Sequence, residues 1–202
     1  MYKKIAVTQR QIYASKTKET YDSLDRQWYS FFKKCNIYPL FLPNDYELTK
    51  MLLDREALDG FLLTGGGNIA SLGGLDAERE KIEELLINIS IERNIPLLGV
   101  CRGMQKIQDF FSIPLKPIKG HVCNKQEIFI DNKKSIVNSY HDYGTNHEGT
   151  CFEIWARSKD FIIKGINHNR FNIKGIMWHP ERIYPFREED IKIFKRFYNI
   201  EE

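Results

Sequence analysis

No two of the four cysteines, Cys35, Cys101, Cys123 and Cys151, form a Cys-x-x-Cys pair. That disfavours a zinc ribbon, a dithiol redox motif or a disulfide scaffold. Long apolar runs are missing too. The first one, Ile5-Ala-Val7, falls far short of the roughly 7–15 residues of a secretory core or the about 20 of a membrane span. Secretion and membrane insertion are therefore not expected, and the expected location is the cytoplasm. Charge of one sign is also scarce: 30 Lys and Arg stand against 27 Asp and Glu, a net +3. Nucleic-acid binders carry a clustered basic surplus, and none occurs here. His121, His141, His147 and His168 lack the paired helical spacing of a zinc enzyme, so neither a metal nor a cofactor is expected. Repeats, low-complexity tracts and linkers are absent.

What remains is the composition of a packed domain, 42% apolar and 13% aromatic over 202 residues. That length supports one core and leaves little chain for a second, so a single domain over 1–202 is expected. Residues 5–8 read as a short buried strand, followed by a polar loop. Tyr21, Leu24, Trp28, Phe31, Phe32 and Cys35 then recur at helical spacing. A strand at 37–42, a helix at 46–54 and a strand at 60–64 come next. A helix then opens at Asp76, its expected N-cap, with Ile82, Leu85, Leu86 and Ile89 inward. Residues 96–100 form a continuous apolar run, the mark of a strand covered on both faces. Such alternation predicts an α/β fold, a mostly parallel sheet with helices on both faces. The later strands at 126–130, 151–156 and 172–178 suggest a small antiparallel extension, and a helix at 188–198 closes the chain.

Gly99-Val100-Cys101-Arg102-Gly103 sets a cysteine between glycines where a buried strand gives way to helical spacing at Met104, Ile107, Phe110 and Phe111. A nucleophile elbow has this form. Its tight turn leaves no room for Cβ atoms two residues to either side, and the helix start directs free N–H groups at the thiol. Taken alone, the pentad fits a buried cysteine in a glycine turn equally well. Three other segments bear on the choice. His179 in Trp178-His179-Pro180-Glu181 follows a predicted strand, and Glu181 is close enough in sequence to orient its imidazole. Thr64-Gly65-Gly66-Gly67 exposes backbone N–H groups but lacks the lysine of a phosphate loop. Val137-Asn138-Ser139-Tyr140-His141 reads only as a polar, aromatic loop.

In this order, together with Asp76-Ala-Glu-Arg-Glu80, Ile95 to Gln105 and Gly175 to Glu181, the segments resemble the class I glutamine amidotransferase superfamily, and within it the γ-glutamyl hydrolase branch. The likeness covers nearly the whole chain. It implies a flavodoxin-like three-layer sandwich and a triad in which Cys101 attacks, His179 carries the proton and Glu181 orients. It further implies an oxyanion hole from the N–H groups of Gly66 and Arg102, with Gly65, Gln105, Ser139, Tyr140 and His141 around the glutamyl group. The partner implied is a small γ-glutamyl conjugate. The favoured one is nucleotide-linked, γ-glutamyl-CDP-amidate, whose hydrolysis would give cytidine diphosphoramidate for capsule modification. A glutaminase feeding a separate synthetase, or a hydrolase of another γ-glutamyl amine, is the alternative. Asp142-Tyr143 after His141, and Met177, depart from the putrescine-pathway hydrolases and argue for a different acceptor pocket. Arg10, Lys16, Lys18, Arg102 and Arg182 are candidate contacts for an anionic leaving group. Tyr13, Tyr140, Tyr143 or His121 could stack on a base.

Overall fold

The computed structural model describes residues 1–201. In chain order the elements are β1 (Lys3–Val7), β2 (Arg10–Ala14), β3 (Glu19–Ser23), α1 (Gln27–Cys35), β4 (Ile37–Phe41), α2 (Tyr46–Arg55), β5 (Gly60–Leu63), α3 (Ala77–Arg93) and β6 (Leu97–Val100). There follow α4 (Arg102–Phe110), β7 (Lys116–Pro117), β8 (Val122–Ile130), β9 (Lys133–Tyr140), β10 (Tyr143–Gly144), β11 (Phe152–Ser158), β12 (Ile163–His168), β13 (Ile173–Ile176) and α5 (Glu188–Phe197).

Nine strands join in one sheet, ordered β4-β1-β5-β6-β13-β12-β11-β8-β9. From β4 to β13 every pairing is parallel; from β13 to β9 every pairing is antiparallel. The central strands β5 and β6 of the parallel half are buried on both faces, which is why they read as unbroken apolar runs. Ile5, Val7, Leu62, Leu98 and Val100 face a core with Trp28, Phe31 and Phe32 of α1 and Phe194 of α5. Ala6, Phe61, Leu63 and Leu97 face the opposite core, with Leu53 of α2, Ile82 and Leu86 of α3 and Met104 and Ile107 of α4. The alternation follows from the two-residue period of a strand. Pro39 lies in β4 at the sheet edge, where a missing donor disrupts no central pairing.

Three stretches differ from the sequence expectations. The polar loop after β1, together with Tyr21 that was expected on the helix, forms a hairpin, β2–β3, with Ile12 opposite Tyr21, and it stands outside the main sheet; α1 begins only at Gln27. Its faces are mostly exposed, so no apolar alternation marks it. Residues 137–140, expected as loop, are the end of β9, and β12 had no apolar run to announce it because Lys164 and Gly165 interrupt it. Asp76 occupies the N-cap position of α3, yet its side chain makes no capping bond. The buried side of α3 also includes Arg79, Glu80 and Glu83 beside Ile82 and Leu86, whereas Leu85 and Ile89 are half-buried. Charges occupy that face because they pair with one another, as described below.

Trp28 is one of two fully buried tryptophans in the α1–α5 core, stacked on Phe32 at 5.2 Å and edge-on to Phe31 at 5.9 Å. Trp28→Ala is expected to cost about 3–5 kcal/mol in stability, readable as a lowered midpoint in urea unfolding.

Candidate active site

The chain leaves β6 and enters α4 through Cys101, whose φ of 53° and ψ of −107° lie outside the ordinary regions for a side-chain-bearing residue. Neighbouring backbone holds it there. Its N–H donates to the Ile176 carbonyl at 2.8 Å, extending the β6–β13 ladder, and its own carbonyl accepts from Gln105 N at 3.0 Å. The flanking glycines are required by close approach. A Cβ on Gly99 would lie 2.6 Å from the Gly103 carbonyl group, and one on Gly103 would lie 2.2 Å from the Leu63 carbonyl oxygen.

His179 follows β13 and is fixed from both sides of its backbone by one side chain. Its N–H donates to Asn138 Oδ1 at 2.8 Å, and Asn138 Nδ2 donates to its carbonyl at 2.8 Å. The next turn returns Glu181, whose Oε1 lies 2.8 Å from His179 Nδ1; both residues are buried. With Nδ1 engaged there, the rest of the imidazole faces the Cys101 thiol, and each group shifts the other's pKa. The junction is tight. A Cβ on Gly65 would lie 2.6 Å from His179 Cε1 and 3.4 Å from both His179 Nε2 and Cys101 Cβ.

Burial is the largest influence on the thiol and pushes its pKa up. The His179 charge, the Arg182 charge and the Arg102 backbone N–H outweigh it, so the Cys101 pKa is lowered. Burial acts downward on the imidazole, but the facing thiolate and Glu181 carry His179 up to about 10. The pair thus favours thiolate and imidazolium. Cys35, buried among apolar side chains, shifts the other way.

Behind the thiol, Arg79 organises the glycine loop. Its guanidinium donates to the carbonyls of Thr64 at 2.6 Å, Gly65 at 3.3 Å and Gly66 at 2.9 Å. In a trans peptide the N–H points opposite the carbonyl, so with the Gly65 carbonyl on Arg79, the Gly66 N–H points away from it. Gly66 itself has φ +94°, and a Cβ there would lie 2.8 Å from Arg10 Cδ. Arg79 Nε bonds Glu83 at 2.9 Å, and Glu83 pairs also with the Arg102 guanidinium. Arg102 reaches Glu80 as well, and Lys106 Nζ bridges Glu80 at 2.6 Å and Glu84 at 2.7 Å. This chain of ion pairs ties α3 to α4 directly beneath the elbow.

The other expected residues divide. Gln105, one turn into α4, is buried with Nε2 on the Tyr143 carbonyl at 2.9 Å. The Tyr140 ring lies 6.0 Å from His179 and 5.4 Å from the Arg182 guanidinium carbon. Ser139 and His141 are buried, both bonded to Lys164 Nζ, at 3.1 and 2.6 Å. Arg10 and Arg182 line a small cavity of about 40 Å³ with Gly65, Gly66 and Glu181. Two expectations are corrected. The Arg102 side chain is buried in ion pairs with Glu80 and Glu83, so only its backbone faces the thiol. His121 is buried between Lys164 and Asp160 and is not free to stack on a base. Lys16 and Lys18 lie exposed in the hairpin turn, with Tyr13 exposed on β2. Among the described residues no three His, Cys, Asp or Glu side chains converge as a metal site, and no helix is long and apolar enough to cross a membrane.

Residues 17–200 match the family model "Glutamine amidotransferase class-I". The chain belongs to the class I glutamine amidotransferase family. It is 32% identical over 200 residues to the "Gamma-glutamyl-CDP-amidate hydrolase" of Campylobacter jejuni, covering 97% of this chain and 98% of that one. It is 26% identical over 155 residues to a glutamine-hydrolysing GMP synthase component of Pyrococcus abyssi, covering 71% of this chain and 78% of the relative. Among solved structures, a glutamine amidotransferase from Thermotoga maritima superposes with a TM-score of 0.68 at 16% identity, covering 97% of this chain and 84% of that one.

Sequence reasoning left three residues of this candidate site without a role. Asn138 was visible inside its motif, but nothing local signals an amide that clamps a distant histidine. Lys164 and Glu83 carry no motif at all. The thiolate–imidazolium pair has a direct readout. Iodoacetamide should label Cys101 at a rate that stays high below the ordinary thiol range, while Cys35 stays inert. His179→Gln should move the Cys101 labelling profile upward in pH, because burial then acts without its opposing charge.

Proposed function

We propose that this chain is a cysteine-dependent γ-glutamyl hydrolase that acts through a γ-glutamyl thioester, with γ-glutamyl-CDP-amidate as its substrate. The observation that carries this reading is the buried line from Cys101 through His179 to Glu181, charged before any substrate arrives. Cys101 Sγ attacks the γ-carbonyl carbon, and the carbonyl oxygen takes up the negative charge. The Arg102 N–H and the Gly66 N–H, held outward by Arg79, are the donors assigned to that oxyanion; each such donor is worth about 3 kcal/mol in the barrier. As the C–N bond breaks, the leaving nitrogen takes the proton from His179 Nε2. A γ-glutamyl thioester on Cys101 and free cytidine diphosphoramidate result. Neutral His179 then removes a proton from water, whose oxygen attacks the thioester, and glutamate leaves as the thiolate re-forms. Glu181 holds the Nδ1–H tautomer throughout, so that Nε2 faces the reacting atoms.

The nucleotide-linked substrate is supported by two features. The Campylobacter relative, similar along nearly the full length of both chains, carries the name of that activity. Arg10 and Arg182 line the small cavity beside Gly66, and guanidinium groups suit phosphate oxygens, although Arg182 also pairs with Glu181 at 3.3 Å. A glutaminase serving a synthetase would use the same three residues but would have no need of these arginines.

Two variants test the reading. Glu181→Gln should lower kcat for glutamate release by about 10²–10⁴-fold, since the imidazole loses its orienting anion. Arg10→Ala should raise KM for γ-glutamyl-CDP-amidate by about tenfold while leaving any turnover of free glutamine unaffected. Rapid turnover of free glutamine, with no preference for the nucleotide conjugate, would support the glutaminase alternative instead.

A further inference from the structure

A fully buried lysine lies behind the end of β9 and takes no part in the mechanism above. Lys164, on β12, is 1% exposed. Its Nζ lies 2.9 Å from His121 Nδ1, 2.6 Å from His141 Nε2 and 3.1 Å from Ser139 Oγ. The tautomers of both rings follow from their other bonds. His121 Nε2 lies 3.0 Å from Asp160 Oδ2, so it carries the proton and leaves Nδ1 as an acceptor. Gln126 Nε2 lies 2.9 Å from that same Nδ1. His141 Nδ1 donates to the Tyr143 carbonyl at 2.8 Å, leaving Nε2 as an acceptor. Burial and the lysine charge hold the pKa of His141 down to about 3, so its ring is neutral. His141 Nε2 and Ser139 Oγ therefore accept from the ammonium as uncharged atoms, while the single lone pair of His121 Nδ1 is shared between the ammonium and Gln126 Nε2.

Among the described residues no carboxylate forms an ion pair with Lys164. The titratable groups that face it are Cys101 on the elbow, His121 and Cys123 around the start of β8, His141 after β9, and Asp160 between β11 and β12. Asp160 bonds His121 and acts on the lysine only across a distance, as Cys101 and Cys123 do, and the Cys101 thiolate is already matched by the His179 imidazolium. A buried cation without a counter-ion is costly, and burial lowers the lysine pKa to about 7. An anion arriving beside Ser139 would remove that cost.

We propose that Lys164 is the specificity-determining cation for the glutamyl group, positioning Ser139 and His141 and supplying the buried positive charge that selects a free α-carboxylate over a neutral α-carboxamide. This inference rests on the γ-glutamyl reading above. The fold places Lys164 for that task. Ser139 is flanked by Asn138, which clamps the His179 backbone, and by Tyr140, whose ring lies 6.0 Å from the imidazole. The Lys164 carbonyl accepts from Met177 N at 2.9 Å, two residues before His179. A carboxylate held beside Ser139 is thus registered against the reacting centre through short, buried connections. The charge also couples binding to pH. An anion that prefers the protonated lysine raises its proton affinity by the same factor, so just above neutral pH glutamate binding takes up a proton.

Two measurements test the assignment. In the first, Lys164→Met is assayed with a γ-glutamyl anilide and with the same anilide bearing an α-carboxamide. KM should rise about tenfold or more for the carboxylate substrate, with little change for the carboxamide. A parallel rise for both would mean that Lys164 only supports the fold, and would overturn the proposal. The second uses wild-type protein, so it decides the matter even if the variant fails to fold. Calorimetry of L-glutamate binding just above neutral pH, in buffers of different ionisation enthalpy, should show more proton uptake than L-isoglutamine, which keeps the γ-carboxylate but not the α-carboxylate. Equal uptake would overturn the proposal. Wild-type protein that releases glutamate from neither anilide nor from the nucleotide conjugate would instead overturn the hydrolase reading, and this inference with it.

Discussion

The backbone turn at Cys101 is the constraint from which the site follows. Its φ of 53° with ψ of −107° is a conformation that costs a residue with a side chain on the order of 1–3 kcal/mol. The cost is met by packing on every side. The Cys101 N–H completes the ladder to β13, Gly99 and Gly103 touch backbone to backbone, and α4 begins at once. Sulfur is thereby lifted from the sheet end toward the one place where His179 can stand beside it. Any Cβ at Gly65 would occupy that place.

Such a turn needs rigid surroundings, and the ion pairs beneath it supply them. Arg79, Glu80, Glu83, Arg102 and Lys106 are almost fully buried, where lone charges would be prohibitively costly. Each finds partners within the set, and together they connect three functional pieces: the glycine loop through Arg79, the elbow through Arg102, and the helix between them through Glu80 and Glu83. Removing any one member would strand its partners in a dry interior, so the arrangement is cooperative. On the other side of the thiol a second polar cluster, built on Lys164, fixes the end of β9. Cys101 therefore sits between two buried electrostatic frameworks, with the reactive pair where they meet.

Much of this was legible in the sequence, for reasons that can be named. The parallel half of the sheet declared itself because strands covered on both faces must be apolar throughout, as 96–100 is. The elbow showed because close backbone approach demands glycine at fixed offsets from Cys101. His179 and Glu181 stood out because a single residue separates the base from its orienting group. The hairpin at β2–β3 left no such mark, since its exposed faces impose no pattern. The inward charges of α3 contradicted the rule that apolar residues define the buried side, and only their three-dimensional pairing explains them. Lys164 was hidden most completely. Its significance depends on three acceptors from segments 23 to 43 residues away, a relation that no local spacing encodes.

The central claim is that the glutamyl group passes through the sulfur of Cys101. Acid quenching during turnover, followed by peptide mass mapping, tests it most directly. The account predicts a single glutamyl group carried on the peptide containing Cys101, appearing within one turnover and lost as substrate runs out. Hydrolysis at full rate with Cys101 unmodified at every quench time, and the glutamyl group on another side chain, would contradict it.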